Sequence, residues 1–326
     1  MILVGDIGGT NARLALFSDD GKQIVTEETL PSAAHASFGS AIDAFLAGKK
    51  PRLTAATFGI AGPVVNGRVK TTNLPWVVDE RVLAKRLGLR RVTLLNDLVT
   101  LALGAIAAPK RELHMLQGKR PPGHSPGNVA VIAAGTGLGE AALIWDGARF
   151  VPCGTEGGHA DFAPRSDLEC ELLAFIGQKV GGRVSYERVV SGPGLGIVYE
   201  FFHGARGMPE KPAEQRAIAE ARDKNAAIAL LGASGKSKAC AAALSMFASL
   251  YGAEAGNLAL KFLAVGGVFL AGKIASNLAP TLEKWFIPAF LDKGRMGPLL
   301  ASMPVAIVKS SSVGLHGAAR HAAGLV

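Results

Sequence analysis

The sequence predicts a duplicated α/β fold, in which two similar halves face each other across a cleft. Each half begins with three apolar runs of strand length and then alternates between helical and strand patterns. With 326 residues, the chain is long enough for two domains that each bury a core. In each half a glycine-rich turn joins the first two runs: Asp6-Ile7-Gly8-Gly9-Thr10-Asn11 in the first and Ala134-Gly135-Thr136-Gly137-Leu138-Gly139 in the second.

The elements of the first half follow from the spacing of its apolar residues. After three strands, apolar residues recur with helical spacing between Phe38 and Leu46. Asp79 is placed to cap a second helix, and a third helical pattern follows Asp97. The predicted strands are Ile2–Gly5, Ala12–Phe17, Gln23–Thr26, Leu53–Ile60 and Val92–Leu95.

The second half repeats this order with a helical insertion. A capping-box pattern at Ser166 predicts a helix through about Val180, and an Ala-rich run predicts another from about Lys238 to Leu263. We expect the closing helix from Val313 to return to the first half. The chain then divides into a small α/β domain, residues 1–107 with 309–326, and a large α/β domain, residues 108–308. The predicted strands are Val129–Ala133, Glu140–Trp145, Arg149–Cys153, Val268–Ala271 and Val305–Val308.

The composition is typical of a globular protein of the cytoplasm. Apolar residues make up 49% of the chain and charged residues 19%. Cys153, Cys170 and Cys240 have no CxxC partner, which argues against a disulfide framework and a structural zinc site. The longest apolar stretches are shorter than the roughly 20 residues of a membrane helix. The acid at Asp6 interrupts the first apolar run, so we expect neither a membrane partner nor a signal peptide.

The formal net charge of +9 raises the question of nucleic-acid binding. The basic residues stand in short clusters without interleaved aromatic residues, and no nucleic-acid module is recognisable. We interpret them as solvated surface that mildly attracts anionic substrates, and we expect no nucleic-acid partner. The clusters are Lys49-Lys50-Pro51-Arg52, Arg90-Arg91 and Lys119-Arg120.

The two glycine turns predict a phosphate site. Glycine tolerates φ > 0 and lets backbone N–H groups approach an anion closely, and Thr10 and Thr136 add hydroxyl donors. A single such turn would more simply be a tight hairpin without a ligand. Because the turns occupy matched positions in the two halves, binding of a polyphosphate from both sides is the favoured interpretation.

Two other phosphate motifs fail on inspection. Gly232–Ser237 resembles a P-loop, but its first glycine is too close to the lysine and no strand precedes it. Gly135–Glu140 does not match GxGxxG and leads into a strand, which argues against a dinucleotide site.

Asn96-Asp97 directly follows a predicted strand. The carboxyl ends of strands open into the ligand crevice of α/β sheets. A carboxylate there can accept the proton of an attacking hydroxyl, while the amide holds a neighbouring hydroxyl. A helix cap at Asp97 is an equally simple interpretation of this position alone.

A third polar segment is Gly154-Thr155-Glu156-Gly157-Gly158-His159-Ala160-Asp161. Its glycines argue against a helix and favour a loop that presents Glu156 and His159, which suits recognition of sugar hydroxyls better than a metal site. Glu187 precedes Ser191-Gly192-Pro193-Gly194, a candidate helix start, and by itself it is also compatible with an exposed surface acid.

Taken together, these segments resemble the bacterial-type glucokinases of the actin-like, hexokinase-fold superfamily. The resemblance covers nearly the whole chain, and the order of the motifs makes it specific. It implies two ribonuclease H-like (actin-like/hexokinase) domains related by duplication, with a cleft between them. The matching segments are Val4–Arg13, Asn96-Asp97, Ala134–Gly139, Gly154–Pro164, Glu187-Arg188 with Ser191–Gly194, and Gly266–Gly272, together with Thr72-Asn73-Leu74-Pro75-Trp76 near the cleft.

The resemblance also implies an activity: ATP-dependent phosphorylation of glucose at its 6-hydroxyl, giving glucose 6-phosphate and ADP, in the cytoplasm and as a homodimer. Asp97 would be the general base, and Asp6 would lie near Mg²⁺, through water. The sugar hydroxyls would be ringed by Asn96, Asp97, Glu156, His159 and Glu187. The ATP phosphates would be held by Gly5, Asp6, Ile7, Gly8, Gly9, Thr10, Gly135, Thr136 and Gly137, with Gly266 and Gly267 against the adenosine.

Two positions depart from the family pattern. Lys273 follows Gly272 where a second glycine is common, and Glu140 follows the second turn where an apolar residue is common. Alternatives also stay open. Another hexose or an amino sugar would use the same residues, and a non-catalytic, sugar-responsive regulator shares this fold. A regulator would have no need of a base at Asp97.

Overall fold

The computed structural model describes residues 1–71 and 74–325, so Thr72 and Asn73 of the predicted cleft segment lie outside the described residues. The strands are β1 (Ile2–Ile7), β2 (Asn11–Phe17), β3 (Ile24–Pro31), β4 (Ala55–Ile60), β5 (Arg68–Lys70), β6 (Val77–Asp79), β7 (Val92–Asn96), β8 (Leu113–Gln117), β9 (Val129–Ala134), β10 (Leu138–Trp145), β11 (Phe150–Gly154), β12 (Gly267–Ala271) and β13 (Val305–Val308). The helices are α1 (Phe38–Leu46), α2 (Glu80–Leu87), α3 (Asp97–Ala105), α4 (Asp167–Val180), α5 (Gly192–Glu200), α6 (Pro212–Ala219), α7 (Lys224–Ala233), α8 (Lys238–Lys261), α9 (Gly272–Asn277), α10 (Ala279–Leu291), α11 (Gly297–Ser302) and α12 (Val313–Ala322).

The strands form two large mixed sheets with the same internal order. The first sheet is β3-β2-β1-β4-β7, and the second is β11-β10-β9-β12-β13 with β8 added at its edge. In both sheets the first three strands pair antiparallel, and two parallel strands follow on the other side. The repeated topology confirms the duplicated α/β fold.

The local signals in the sequence are mostly confirmed. Asp79 caps α2 by accepting from the N–H groups of Arg81 and Val82. Ser166 caps α4 by accepting from the N–H of Glu169, but the Glu169 carboxylate bonds to Arg165 and does not complete the capping box. β3 continues to Pro31, beyond the predicted run, because an edge strand needs no apolar pattern to pair with β2. β8 was not predicted, since its side chains are mostly only half-buried.

Two helices lie between the two sheets. α3 packs its apolar side chains, such as Val99 and Leu103, against the second sheet. α12 packs Leu315 and Ala318 against β1 and β2 of the first sheet. The outer face of the first sheet is covered mainly by α1 and α2, and that of the second by the helical insertion with α8 and α10.

α3 and α12 cross in backbone contact at two glycines. A Cβ on Gly104 would overlap the carbonyl oxygen of Val313, and a Cβ on Gly317 would overlap the carbonyl of Thr100. Only glycine fits at either position. The division into residues 1–107 with 309–326 and residues 108–308 stays a proposal: α12 contacts β1 and β4 of the first sheet, whereas α3, which it assigns to the first domain, packs against the second sheet.

Among the described residues, no helix is both long and apolar enough to span a membrane.

Candidate active site

The carboxyl ends of parallel strands bring the acidic residues of the first half together. β1, β4 and β7 run parallel, with Ile7 beside Ile60 and Ile60 beside Asn96, so all three strands end at one edge of the sheet. Asp6 stands near the end of β1, and Asn96-Asp97 stand where β7 ends and α3 begins. The loop after β11 of the second half reaches the same place, since Gly154 lies against Asn96 and Val99.

Asn96, and not Asp97, is the N-cap of α3. Its Oδ1 accepts from the N–H of Leu98 at 2.9 Å, and its Nδ2 donates to the carbonyl of Gly62 at 3.4 Å. Asp97 is the first helical residue, and its Oδ1 shares the same Leu98 N–H at 3.0 Å. The simple capping interpretation of Asp97 therefore does not hold, and its second carboxylate oxygen has no hydrogen-bond partner among the described residues.

The surroundings of Asp97 favour a proton acceptor that works near neutral pH. Burial, together with the negative charges of Asp6 and Glu156, raises the pKa of Asp97 to about 7, while the hydrogen bond from Leu98 opposes this. Asp6 and Glu156, which belong to different halves of the chain, are therefore both near enough to Asp97 for their charges to act on it. A general base is most effective when its pKa is near the working pH.

Asp6 is the second buried acid of this edge. Burial raises the pKa of Asp6, and the positive charge of Arg13 on the neighbouring strand lowers it. The N-terminal turn of α12 faces it, because a Cβ on Gly314 would lie 3.7 Å from Asp6 Oδ2. A carboxylate beside a phosphate turn is the donor that Mg²⁺ prefers, with water and phosphate oxygens filling the other positions. Asp6 thus fits the predicted magnesium role, although the described residues include no cluster of three or more metal-binding side chains.

Glu156 and His159 stand on an exposed loop with a rigid base. The loop contains a short 3₁₀ turn, Gly157–His159. Thr155 Oγ1 donates to the carbonyl of Glu140 at 2.9 Å and accepts from the N–H of Gly157 at 3.1 Å. Both predicted sugar-contacting side chains are exposed, so the loop presents them outward from a fixed backbone.

Glu187 is tied to the second glycine turn and is not a free surface acid. Its Oε2 accepts from the N–H of Leu138 at 3.0 Å, and a Cβ on Gly137 would overlap that oxygen. Its other oxygen is available for a sugar hydroxyl. Glu187 therefore connects the predicted sugar site with the predicted phosphate turn.

The second glycine turn is shaped by its neighbours. Gly135, Gly137 and Gly139 do not use the positive φ that glycine permits. Close approach of neighbouring side chains explains Gly137 and Gly139, but not Gly135. Gly139 leaves room for Leu98 of α3. Gly135 is exposed, with no described atom within 4 Å of a Cβ built there, and Thr136 beside it is also exposed. The N–H of Gly192, at the start of α5, donates to the Gly135 carbonyl at 2.8 Å, so the positive end of that helix lies at the turn.

The first turn is simpler. Gly8 donates its N–H to the carbonyl of Asn11 at 2.9 Å. Gly8, Gly9 and Thr10 reach the surface, whereas Gly5 and Ile7 are buried within the sheet, where Gly5 makes room for Leu14 and Phe58. Of the predicted phosphate residues in this segment, residues 8–10 are therefore the ones open to a ligand.

The structure does not bring Gly266 and Gly267 to the ligand edge. They stand at the start of β12, which runs parallel to β9, whereas the glycine turn follows the end of β9. Their lack of side chains is explained by packing, because a Cβ on Gly266 would overlap Gly127 and one on Gly267 would crowd Pro122. The other end of β12 reaches the edge: Gly272 has φ +89° and lies against the Ala134 carbonyl. At this edge of the sheet β12 therefore presents Gly272 and the start of α9, and not Gly266 and Gly267.

Sequence reasoning missed two parts of this site. The contact of α5 with Gly135 was indicated by Ser191-Gly192-Pro193-Gly194, which was recognised as a helix start but not placed beside the turn. The side chain of Glu140, which lies beneath Gly157, was noted only as a departure from a pattern.

Comparison with known proteins identifies the family. The glucokinase family model matches residues 3–325. A glucokinase from Nostoc sp. (strain PCC 7120) is 40% identical over 342 residues, which cover 100% of this chain and 99% of the relative. The crystal structure of a glucokinase from an Antarctic psychrotroph matches with a TM-score of 0.82 at 30% identity, covering 99% of this chain and 98% of that one. A ROK family glucokinase from Streptomyces griseus, solved with glucose and AMPPNP, has a TM-score of 0.67 at 20% identity over 98% of both chains, which shows the common fold. With its full-length sequence match, its hexokinase-type fold and these acids at one sheet edge, the chain belongs to the glucokinase family.

Proposed function

We propose that this protein transfers the γ-phosphoryl group of ATP to the 6-hydroxyl of glucose, producing glucose 6-phosphate and ADP, with Asp97 as the general base. The observation that carries the proposal is the place of Asp97, at the junction of β7 and α3, with a pKa raised to about 7. Such a carboxylate is half ionised near neutral pH and can take the proton of an attacking hydroxyl.

The sugar would lie between the two halves of the molecule. Asn96 Nδ2 already donates one hydrogen to the Gly62 carbonyl and would donate its other hydrogen to a sugar hydroxyl. Glu187 Oε2 already accepts from the N–H of Leu138, and Glu187 Oε1 would accept from a sugar hydroxyl. Glu156 would accept from sugar hydroxyls and His159 would donate to one. Glucose is preferred over another hexose or an amino sugar because the similar proteins carry the name glucokinase.

The phosphates of ATP would lie between the two glycine turns. Backbone N–H groups of residues 8–10 and 135–137 and the hydroxyls of Thr10 and Thr136 would face the phosphate oxygens. The positive end of α5 beside Gly135 supports this placement. Asp6 would hold Mg²⁺ through water, and the ion would neutralise charge on the phosphates.

We also propose that the two halves close over the sugar, because closure excludes water and limits wasteful hydrolysis of ATP. The protein would act in glycolysis, in the cytoplasm and as a homodimer, without a nucleic-acid or membrane partner. The three cysteines are all free thiols, which suits a reducing compartment. The dimer rests on the family resemblance, and light scattering of the purified protein tests it: a monomeric mass would contradict it.

The decisive experiment measures ADP production by the purified protein with ATP and Mg²⁺. Glucose, mannose, fructose, glucosamine and N-acetylglucosamine are compared as acceptors. We expect the largest kcat/KM with glucose. Higher activity with another sugar would support the kinase activity but contradict glucose as the preferred substrate. Folded protein that binds glucose but forms no sugar-dependent ADP would favour the non-catalytic regulator.

A further inference from the structure

Two carboxyl groups are buried against each other beneath the loop that carries Glu156 and His159. Glu140 stands on β10 and is 1% exposed, and Glu254 stands on α8 and is 0% exposed. Their side chains are within hydrogen-bonding reach of each other. Neither carboxyl group has a role in the proposed reaction, so their burial together needs a separate explanation.

The hydrogen bonds around the pair differ between its two members. Glu254 Oε2 accepts from Asn257 Nδ2 at 2.9 Å, and its Oε1 accepts from Lys261 Nζ at 3.4 Å. Glu140 Oε1 is enclosed and has no hydrogen-bond partner among the described residues. An ionised Glu140 would therefore place an uncompensated charge beside another carboxylate. A proton on Glu140 removes this conflict, because its O–H then donates to Glu254, which carries the negative charge.

The electrostatic surroundings agree with this arrangement. Burial is the main cause that raises the pKa of Glu140 to about 8; the charge of Glu254 adds to it, and Lys261 opposes it. Tyr251 of α8 is the other titratable group that faces Glu140, and burial raises its own pKa far above neutral pH. Lys293 stands one step further away, where it donates to Asn257 Oδ1 at 2.6 Å. Among these neighbours, Glu140 is the group that changes charge in the mildly alkaline range.

Glu140 is joined to the loop in two ways. Its backbone carbonyl accepts a hydrogen bond from the hydroxyl of Thr155, and the same hydroxyl accepts one from the N–H of Gly157. Its side chain lies directly under Gly157, where a Cβ would overlap Oε2. Glu156 thus lies between Thr155 and Gly157, which both contact Glu140. On the far side of the pair, Asn257 also donates to the hydroxyl of Tyr186, the residue next to Glu187.

We propose that Glu140, hydrogen-bonded through its proton to Glu254, is a positioning residue for the loop Thr155–His159, and that loss of this proton weakens sugar binding. The side chain that separates from Glu254 on ionisation has the backbone of Gly157 above it, so the loop is displaced. The proposal rests on the proposed function, since it takes Glu156 and His159 as sugar contacts.

The test is glucose binding by calorimetry without ATP, at pH values from 7 to 9, for the wild type and Glu140→Gln. The amide keeps the shape and can donate to Glu254, but it cannot ionise. We expect the wild-type Kd for glucose to rise by about tenfold at pH 9, because only about a tenth of the molecules keep the proton there. The Glu140→Gln variant should show no rise in the Kd for glucose between pH 8 and 9. ATP binding, measured at the same pH values, serves as the control for general effects of pH and should change equally in both proteins.

A role confined to stability would shift the melting temperature but would not remove a pH dependence of glucose affinity. If glucose binding weakens equally at alkaline pH in the wild type and in Glu140→Gln, the positioning role is overturned, but the proposed function is not. A wild-type Kd that stays constant to pH 9 overturns it without any variant, and Glu140→Leu offers a second non-ionising side chain if the glutamine variant does not fold. Absence of glucose binding by the folded wild type at every pH would overturn the proposed function, and the positioning role with it.

Discussion

Asp97 and Glu140 are two acids with a raised pKa near the same loop, and they differ in access. Burial is the largest cause for both, and a neighbouring carboxylate is the second: Asp6 for Asp97 and Glu254 for Glu140. Asp97 stands at a helix N-terminus on the ligand edge of the sheet, whereas Glu140 is sealed between β10 and α8.

The difference shows that a raised pKa alone does not identify a catalytic group. The same physical cause can prepare a proton acceptor that a substrate reaches, or hold a proton that no substrate reaches. Access and hydrogen-bond partners decide between the two. Four experiments separate the two acids.

The largest effect is expected from Asp97→Asn. The amide keeps the size of the side chain but cannot accept the proton, so kcat should fall by roughly 10²–10⁴-fold while glucose and ATP still bind. Steady-state kinetics and calorimetry measure both quantities. Asp161→Asn is the control for loss of a carboxylate charge, since Asp161 is an exposed acid with no proposed contact to the substrates and is paired with Arg183. Full turnover in Asp97→Asn would remove Asp97 from the role of base.

Gly157→Ala should affect sugar binding more than ATP binding. The added Cβ overlaps the Glu140 carboxylate, and relief of such overpacking costs roughly 1–3 kcal/mol. If the loop moves to relieve it, the KM for glucose rises by roughly tenfold or more, with little change in the KM for ATP. Gly177→Ala on α4 is the control, because its Cβ makes only ordinary contact. Equal changes in both KM values would contradict a local effect on the loop.

The pH profile of the wild type should show an acid limb from Asp97. Because the folded-state pKa is raised to about 7, the base becomes protonated as the pH falls through that value. The kcat/KM for glucose should therefore decline by roughly tenfold per pH unit below about 7. Measurements between pH 5 and 8 test this, and activity that persists unchanged to pH 5 would show that the base ionises at a much lower pH.

The fourth effect is on stability. Folded Glu140 holds a proton up to about pH 8, whereas the unfolded side chain releases it near its ordinary pKa of 4.5. Its contribution to the free energy of unfolding is present below the unfolded pKa and declines as the pH rises toward 8, by at most about 1.4 kcal/mol per unit. Urea denaturation at pH 5, 6 and 7 should show Glu140→Gln gaining stability relative to the wild type at each step. A constant difference would mean that Glu140 is ionised in the folded protein.

The sequence alone was sufficient for the features that depend on local order. Apolar spacing and turn residues predicted the strand before Asn96, the helix after it and the matched glycine turns. The repeated order of these elements in the two halves predicted the duplication that the two sheets show. The close approach of Asp6, Asp97 and Glu156 was expected only through the resemblance, because Glu156 lies in the other half of the chain.

Features that depend on packing between distant segments were missed. The bond from Leu138 to Glu187 joins residues separated by 49 positions, so no local pattern announces it. Gly266 and Gly267 lie at the opposite end of β12 from the predicted ligand site, which the sequence did not show, because a glycine required for backbone packing looks the same in sequence as one required by a ligand. The partner of Glu140 stands on α8, more than a hundred residues away, and only the structure shows that the two acids meet.

The crossing of α3 and α12 has a consequence for motion. Their backbones already touch at Gly104 with Val313 and at Gly317 with Thr100, so the two sheets cannot be pressed closer together along this direction. The two contacts instead define a line about which one half can turn against the other. Both helices begin at the ligand edge, α3 at Asp97 and α12 facing Asp6. The proposed closure over the sugar would then come from rotation at these two contacts and not from approach of the two sheets.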